Sequence, residues 1–342
     1  MKKILVTGGT GYIGSHTVVK LLEANYEVVI LDNLSNSSME VNERINFLAN
    51  KRFDFIKGDI RDKKILESIF KKYQIGVVIH FAGSKSATES DINPLEYYEN
   101  NVIGSLNLFK EMLKADVKKI VFSSSATVYG EPKEKKCKEN FPLLPTSVYG
   151  KTKLIIENIL TDIQKANHKW KIINLRYFNP IGAHPSGILG EDPKNIPNNL
   201  LPFLTQVAVG KREKLLVFGN TYNTFDGTGK RDFIHVEDLA SGHIAALKYL
   251  EKVDEINMSF NLGTGKSYSV LEIINAFEKC SGMNIPYEIV DKRLGDISEL
   301  YADTSLAKKI LGWQAKFNIS QMCEDAWRWQ KMNPEGYSTA SS

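Results

Sequence analysis

The chain has 342 residues, of which 42% are hydrophobic and 25% are charged. A chain of this length can bury a core without disulfide or metal staples, and its composition excludes a disordered protein. Lysine and arginine outnumber the acids by 44 to 40, and a net charge of +4 over so large a surface excludes a strongly basic nucleic-acid binder. No apolar run approaches the length of a membrane span, so we expect no membrane partner.

The cysteines and the N-terminal residues indicate the cellular compartment in which the protein is expected. Cys137, Cys280 and Cys323 are odd in number and have no paired spacing, which argues against a disulfide framework. The apolar run that begins at Ile4 ends after three residues, whereas a signal peptide needs a longer one. We therefore expect a soluble protein of the reducing cytoplasm.

Short β-branched runs alternate with amphipathic stretches of helical length through the first half of the chain. The predicted strands cover 4–7, 28–31, 53–56, 77–80, 120–122 and 172–175. The predicted helices cover 12–24, 39–49, 63–72, 94–115 and 148–165. Continuous apolar strands that alternate with helices are typical of a parallel sheet covered on both faces by right-handed crossovers. The pattern predicts an α/β fold with a doubly wound, Rossmann-like parallel sheet.

The alternation loosens after residue 178, where a stretch rich in Pro, Gly and Asn begins. Helical patterns return at 200–209, 236–250, 270–280 and 304–311, with a short strand at 260–262. We predict a first domain over 1–178 and a smaller C-terminal α/β lobe over 179–336, which can return strands and helices to the first domain. Residues 337–342 are expected to form a flexible tail.

A glycine-rich motif, Gly8-x-x-Gly11-x-x-Gly14, lies between the first predicted strand and the first predicted helix. Without Cβ atoms the backbone can approach a pyrophosphate, and the amides and dipole of the helix N-terminus favour the anion. Asp32 ends the next strand, where a carboxylate accepts from both ribose hydroxyls and repels a 2′-phosphate. A glycine turn followed by a strand-terminal Asp is the structural alternative. The complete strand–loop–helix context instead predicts NAD.

Two further segments suit the two ends of a dinucleotide. Gly58-Asp59-Ile60 follows the third strand, where a carboxylate can meet an adenine amino group. Phe81-Ala82-Gly83 follows the fourth strand, and small residues there let a ligand lie along the carboxyl ends of the strands. We assign the lone His80 a hydrogen-bonded structural role and predict no metal site, because it has no partner at ligand spacing.

The sharpest chemical feature is Tyr149-x-x-x-Lys153 near the start of a predicted helix. Residues four apart lie on one helix face, and a nearby ammonium favours ionisation of a phenol that ordinarily titrates near ~10. Ser125 leaves the fifth strand toward the same crevice, where its hydroxyl can hold a substrate hydroxyl and pass on its proton. This arrangement predicts proton transfer between Tyr149 and a sugar alcohol, although the motif alone is often surface decoration.

These motifs together resemble the extended short-chain dehydrogenase/reductase family and, within it, the nucleotide-sugar 4-epimerases. The resemblance covers about residues 1–336 and rests on long segments in a fixed order, including TGGTGYIGSH, LDNLSNS, VIHFAG, FSSSATVYG, YGKTKL, LRYFNPIGAHPSG, DGTGKRDFIHVEDLA and RLGD. It implies a catalytic triad of Ser125, Tyr149 and Lys153. The positions that it implies for NAD contact are Tyr12, Ile13, Asp32, Asn33, Asn36, Asp59, Phe81, Lys85, Asn100 and Phe178. Those that it implies for a UDP-sugar are Asn179, Asn199, Leu200, Phe218, Arg231, Arg293 and Asp296.

The activity that the resemblance implies is interconversion of UDP-galactose and UDP-glucose. The sugar would be oxidised at carbon 4, turned over as a 4-ketosugar and reduced again, with NAD bound tightly throughout. The resemblance also implies a homodimer, for which the predicted helices 94–115 and 148–165 offer contact surfaces. Arg231 and Arg293 suit a diphosphate by charge and forked donors, although an ordinary ion pair is the alternative for each.

Three other functions compete with this interpretation. Many family members that act on glucose have Tyr where this chain has Leu300, so the pocket can admit N-acetylated UDP-hexosamines unless the adjacent Tyr301 refills it. Nucleotide-sugar dehydratases carry an acid pair beside the catalytic hydroxyl, but the segment here reads Ser125-Ala126-Thr127. A non-catalytic NAD sensor need not keep the complete triad, and fold alone does not establish activity.

Overall fold

A computed structural model describes residues 2–194, 196–197, 199–292 and 296–337. The strands are β1 Lys3–Thr7, β2 Val28–Asp32, β3 Asp54–Lys57, β4 Ile75–His80, β5 Lys119–Ser125, β6 Lys136–Cys137, β7 Lys171–Tyr177, β8 Asn179–Ile181, β9 Leu215–Phe218, β10 Lys230–Arg231, β11 Phe233–His235, β12 Ile256–Leu262, β13 Tyr268–Ser269, β14 Tyr287–Val290 and β15 Glu299–Ala302. The helices are α1 Tyr12–Glu23, α2 Glu40–Ala49, α3 Lys63–Lys72, α4 Ala87–Ile92, α5 Pro94–Tyr97, α6 Gly104–Lys114, α7 Val148–Ala166, α8 Leu200–Ala208, α9 Val236–Lys252, α10 Val270–Ser281, α11 Ser305–Leu311 and α12 Ile319–Met332.

The central element is a seven-stranded sheet in the order β12-β7-β5-β4-β1-β2-β3. Every neighbouring pair in it is parallel, which confirms the predicted doubly wound α/β fold. The strand order reverses between β1 and β4, and the chain connections leave these two strands in opposite directions along the sheet. Ligands of such sheets bind outside the carboxyl ends of the strands at this switch point.

Alternation along the buried strands creates two cores, one on each face of the sheet. Ile4 and Val6 of β1 belong to the core beneath α1, α2 and α9, whereas Leu5 belongs to the core beneath α3, α6 and α7. All three side chains are at most 2% exposed. Because both faces are covered, the strands are apolar throughout, and this is why the sequence shows continuous runs rather than alternating ones.

Two elements from the second half of the chain, β12 and α9, pack into the unit formed by the first half. Strand β12 pairs in parallel with β7 at the edge of the main sheet. Helix α9 packs beside α1 on one of its faces. The structure thus returns residues 236–262 to the first unit, a possibility that the sequence analysis included for the C-terminal lobe.

The predicted helix over 94–115 is instead a series of short helical pieces. Pro94 begins α5, since proline cannot continue the hydrogen bonding of α4 but fits the first turn of a new helix. A π-helical turn, Tyr98–Ile103, then precedes α6. The apolar periodicity of the segment does not report these changes of pitch.

The remaining elements form a smaller unit around α8, α10 and α12. Its strands make short sheets, among them β13-β10-β15-β6. Tyr337, the first residue of the predicted tail, is buried and exchanges hydrogen bonds with Gly190, while 338–342 lie outside the described residues. Among the helices described, none is long and apolar enough to cross a membrane.

Candidate active site

The glycine-rich loop joins β1 to α1 at the switch point. Gly8 has a positive φ of 71°, and a Cβ there would lie 2.7 Å from the backbone nitrogen of Ala82. A Cβ at Gly14 would overlap the carbonyl oxygen of Gly8. Gly11 caps α1 without a side chain, and the first turn of the helix has no acid. The loop therefore lies close against the backbone and presents an open helix N-terminus suited to a pyrophosphate.

Asp32 lies at the end of β2 beside this loop. Its carboxylate accepts hydrogen bonds from the backbone nitrogens of Thr10 and Leu34, at 3.1 and 2.9 Å. These contacts fix the side chain at the edge of the crevice, where the sequence analysis places a ribose. The side chain is 8% exposed, so its oxygens lie against the loop rather than in bulk water.

Asp59 lies next to the predicted ribose position. Its carboxylate accepts from the side chain of Asn33 at 2.8 Å and forms a forked ion pair with Arg61 at 2.8 and 2.9 Å. The Arg61 contacts lower the pKa of Asp59 to about 2. The carboxyl is therefore ionised, which is the form that accepts from an amino group.

The end of β4 lies against the end of β1. The backbone nitrogens of Phe81 and Ala82 both donate to the carbonyl of Thr7, at 2.9 and 3.1 Å. The structure thus brings the predicted cofactor segments of these two strands together. Three further predicted cofactor residues are wholly or partly buried: Ile13 in the first turn of α1, Ile60 and Phe178. Gly83 follows Ala82 in the chain. Asn36 accepts a hydrogen bond from the backbone of Lys194, and Asn100 donates one to Ser84.

Glu191 connects a predicted cofactor residue with a predicted substrate residue. One of its carboxylate oxygens accepts from Lys85 and from Asn199, each at 2.8 Å. Its side chain is only 9% exposed. Lys85 also lies over the ring of Tyr12, whose hydroxyl donates to the carbonyl of Gly182 at 2.7 Å. Sequence reasoning missed Glu191, because nothing in its local pattern distinguishes it from other acids.

Ser125 and Tyr149 meet at the exit of β5. Ser125 caps a short 3₁₀ helix, Ala126–Tyr129, and its hydroxyl oxygen accepts from the backbone and hydroxyl of Thr127 at 3.2 and 2.9 Å. Burial raises the pKa of Tyr149 to about 12, and a hydrogen bond with Ser125 opposes that rise. The structure therefore pairs the serine and the phenol that the sequence singled out.

Lys153 lies one helical turn after Tyr149, with its Nζ 5.8 Å from the centre of the Tyr149 ring. The Nζ donates to the carbonyl oxygen of Ser123 at 2.7 Å. Burial lowers the pKa of Lys153 to about 8. The sequence analysis expected the ammonium to favour ionisation of Tyr149, but in the protein alone burial dominates and the phenol is harder to ionise.

The predicted substrate residues lie on the smaller unit. Arg231 pairs with Asp296, and the hydroxyl of Tyr222 donates to the same carboxylate at 3.4 Å. Arg293 lies outside the described residues. Asn179 is exposed at the start of β8, Leu200 begins α8, and Phe218 ends β9.

Leu300 lies beside Arg231, its partner in the parallel pairing of β10 and β15. Its side chain is 7% exposed and belongs to an apolar cluster with Ala126, Val128 and Phe178. Since side chains alternate across a strand, Tyr301 faces the other way and cannot refill the position. Tyr301 is therefore not part of the cluster around Leu300, whose buried members include Tyr129.

A buried polar network lies beside Lys153, one of the residues predicted to be catalytic. Glu157 pairs with Arg176 at 2.7 Å, and Arg176 donates in turn to the hydroxyl of Tyr129 at 3.0 Å. Tyr129 donates to Asn261 at 2.7 Å. The sequence analysis did not identify these residues. The spacing of Glu157 four places after Lys153 was the available signal.

This fold and site define an NAD-dependent enzyme of the extended short-chain dehydrogenase/reductase type. The chain belongs to the NAD dependent epimerase/dehydratase family, whose sequence model matches residues 4–263.

Relatives of similar length narrow the comparison. The chain is 55% identical over 336 residues to a UDP-glucose 4-epimerase of Dictyostelium discoideum, covering 98% of each chain. It is 54% identical to that of Bacillus subtilis, covering 98% of this chain and 99% of the relative. Among solved structures, UDP-glucose 4-epimerase from Bifidobacterium longum in complex with NAD+ and UDP is 49% identical. It superposes with a TM-score of 0.95, covering 98% of this chain and all of the other.

Proposed function

We propose that the chain is a UDP-glucose 4-epimerase that interconverts UDP-galactose and UDP-glucose. The observation that carries the proposal is the set of Ser125, Tyr149 and Lys153 at the carboxyl ends of the parallel strands, beside a glycine loop built for a dinucleotide. The similarity to UDP-glucose 4-epimerases over nearly the full chain supports it.

The crevice fits NAD. Its glycine loop leaves no room for a Cβ at Gly8, and α1 presents an uncapped N-terminus to a diphosphate. Asp32 would hold the ribose, and its charge disfavours a 2′-phosphate. Bound there, NAD would supply the acceptor for the hydride of carbon 4 of the sugar and the donor for its return.

The chain's own residues handle the proton. Tyr149 as the phenolate takes the proton of the sugar 4-hydroxyl, and Ser125 positions that hydroxyl and relays the proton. Lys153 stabilises the phenolate through its charge, as does the positive ring of the oxidised cofactor. Loss of this proton to Tyr149 and of the carbon-4 hydride to NAD would together give the 4-ketosugar, the reduced cofactor and a neutral phenol. The phenol would return the proton when the ketone is reduced.

Inversion requires the ketosugar to turn while the UDP part stays in place. The guanidinium of Arg231 suits the diphosphate, and its present pairing with Asp296 keeps it oriented at that end of the crevice. Leu300 and Phe178 belong to one apolar cluster, and if that cluster borders the sugar ring it would offer the ring few hydrogen bonds. If the UDP part is held firmly and the sugar ring only weakly, the ring can turn and present either face to the cofactor.

The test supplies UDP-galactose to the purified protein without added NAD and measures UDP-glucose. Because the cofactor emerges unchanged, we expect conversion that continues over many turnovers. Tyr149→Phe is the matched control, since it removes the phenolic hydroxyl while keeping the ring, and should bind UDP while losing turnover by about 10²–10⁴-fold. Conversion that needs one equivalent of added oxidant for each sugar would overturn the proposal.

A second candidate activity is 4-epimerisation of N-acetylated UDP-hexosamines. The observation that favours it is Leu300, whose side chain has no hydroxyl and is buried beside Phe178 while Tyr301 faces away. A smaller, apolar side chain leaves space for an N-acetyl group. Comparing the rates for UDP-galactose and UDP-N-acetylgalactosamine decides between a strict and a dual specificity.

The proposal includes a homodimer in the cytoplasm. Ile92 and Leu95 are 73% and 81% exposed, and Ile103 is 49% exposed, all within the helical segment 87–114. Several large apolar side chains exposed within one short segment are the kind of surface that an interface between subunits covers. The three cysteines are free, which agrees with a reducing compartment.

A further inference from the structure

We propose that Glu157 is a positioning residue for the proposed epimerisation: its carboxylate, fixed by Arg176, orients the end of β5 and balances the charge of Lys153. It touches neither substrate nor cofactor in this role. The proposal deepens the function above and rests on it. Two hydrogen-bonded contacts and one electrostatic relationship involve this one carboxylate.

The first contact is a buried, forked ion pair. Arg176 donates through Nε to Oε1 of Glu157 at 3.0 Å and through a terminal nitrogen to Oε2 at 2.7 Å. Both residues are 4% exposed. A two-point contact between planar groups fixes the orientation of the carboxylate, and its burial makes the loss of either partner costly.

The second contact reaches the catalytic strand end. The hydroxyl of Ser124 donates to Oε1 of Glu157 at 2.5 Å. Its neighbours on either side are the residues that hold the catalytic groups, since Ser123 accepts from Lys153 and Ser125 pairs with Tyr149. One carboxylate therefore fixes the middle of the three-serine run whose ends place the lysine and the phenol.

The third relationship is electrostatic. Lys153 and Glu157 are four residues apart on α7, so their side chains lie on one face of the helix. Glu157 favours the charged form of Lys153 and thereby opposes the effect of burial on its pKa. Without this carboxylate, the buried ammonium of Lys153 would lose the anion that favours its charged form.

Arg176 extends the network away from the reacting groups. It donates to Tyr129, and Tyr129 belongs to the same apolar cluster as Leu300. The network therefore joins the proton-transfer residues to the wall of the proposed sugar site. A change at Glu157 should affect the chemical step more than the binding of UDP, because none of its contacts reaches the diphosphate end.

The experiment measures kcat and KM for UDP-galactose against pH in wild type and in Glu157→Gln. The wild type is measured first, and its failure to convert the sugar would refute the proposed function rather than this inference. We expect kcat to fall in the variant by about tenfold with little change in KM. The basic limb of the kcat profile should move to lower pH by about one unit, because Lys153 loses its proton more readily.

Two further variants separate charge from packing. Asp162→Asn removes an exposed carboxylate from the same helix and should leave the profile unchanged. Glu157→Gln combined with Arg176→Gln removes both charges, and should move the basic limb back toward its wild-type position. An unshifted basic limb in folded Glu157→Gln would overturn the proposal.

A variant that keeps the ion pair between Glu157 and Arg176 tests the proposal even if Glu157→Gln does not fold. Ser124→Ala removes the hydroxyl and leaves Glu157 and Arg176 paired. We expect it to fold and to lower kcat several-fold at unchanged KM. Full wild-type kcat in Ser124→Ala would also overturn the proposal, whether or not Glu157→Gln folds.

Discussion

Leu300 and Tyr301 are neighbours in β15, yet only Leu300 faces the cluster that contains Phe178. The alternation of strand side chains gives the two residues opposite faces, and Leu300 alone is buried. Tyr301 is therefore kept out of the cluster around Leu300 by its position in the strand, although the two residues are adjacent in the sequence.

Leu300→Tyr should narrow the sugar site. We expect the variant to lower kcat/KM for UDP-N-acetylgalactosamine by about tenfold or more relative to UDP-galactose, since a lost fit of about 1.4 kcal/mol corresponds to that factor. Tyr301→Phe is the matched control because its side chain lies on the other face. Equal losses for both substrates, or the same change in Tyr301→Phe, would contradict this assignment of the wall.

Leu95→Glu should dissociate the proposed dimer. The side chain is 81% exposed in the isolated chain, so burying it between subunits would favour association and a carboxylate there would oppose it. Sedimentation at micromolar concentration should show a dimer for wild type and a monomer for the variant. Phe47→Glu changes a 72% exposed side chain on α2 and should leave the dimer intact. A wild type that sediments as a monomer would refute this interface.

Lys153 should make folding stability depend on pH. Burial lowers its pKa from 10.5 to about 8, so between these values the unfolded chain binds a proton that the folded chain does not. Stability from this group therefore rises with pH, by about 2 kcal/mol between pH 7.5 and 9.5. Urea unfolding of wild type and Lys153→Met measures the difference. A difference that stays constant across this range would contradict the burial of the ammonium.

His80 should oppose folding in acid. It lies between the hydroxyls of Thr7 and Ser105, at 2.6 and 2.9 Å, and burial lowers its pKa from 6.5 to about 3. The unfolded chain takes up the proton first as the pH falls, so stability is lost below pH 6.5. The destabilisation caused by His80→Asn at pH 7 should shrink by about 2 kcal/mol at pH 5. His168→Asn, at an exposed imidazole, should show no such trend.

The fold could be predicted because its signals are local. Each apolar strand run and each helix start is encoded within a few residues, and the order of the elements then selects a doubly wound sheet. The segment 94–115 was predicted less well, because a π-helical turn and a proline change the helix pitch without changing its apolar periodicity.

The site was predictable only where its residues share a motif. Tyr149 and Lys153 are one helical turn apart, so their proximity follows from spacing alone. Glu191 and Arg176 gain their roles from partners 106 and 19 residues away in the chain, at Lys85 and Glu157. Burial likewise determined the direction of the Tyr149 pKa, and burial of a single side chain depends on tertiary packing.

The central claim is that hydride leaves carbon 4 of the sugar and returns to the same carbon within one binding event. UDP-galactose carrying deuterium at carbon 4, incubated with the protein in ordinary water, tests it by mass spectrometry and NMR of the product. We expect UDP-glucose that keeps the deuterium at carbon 4. Loss of the label to solvent would contradict it, because inversion would then proceed by removal of a proton from carbon rather than by transfer of a hydride.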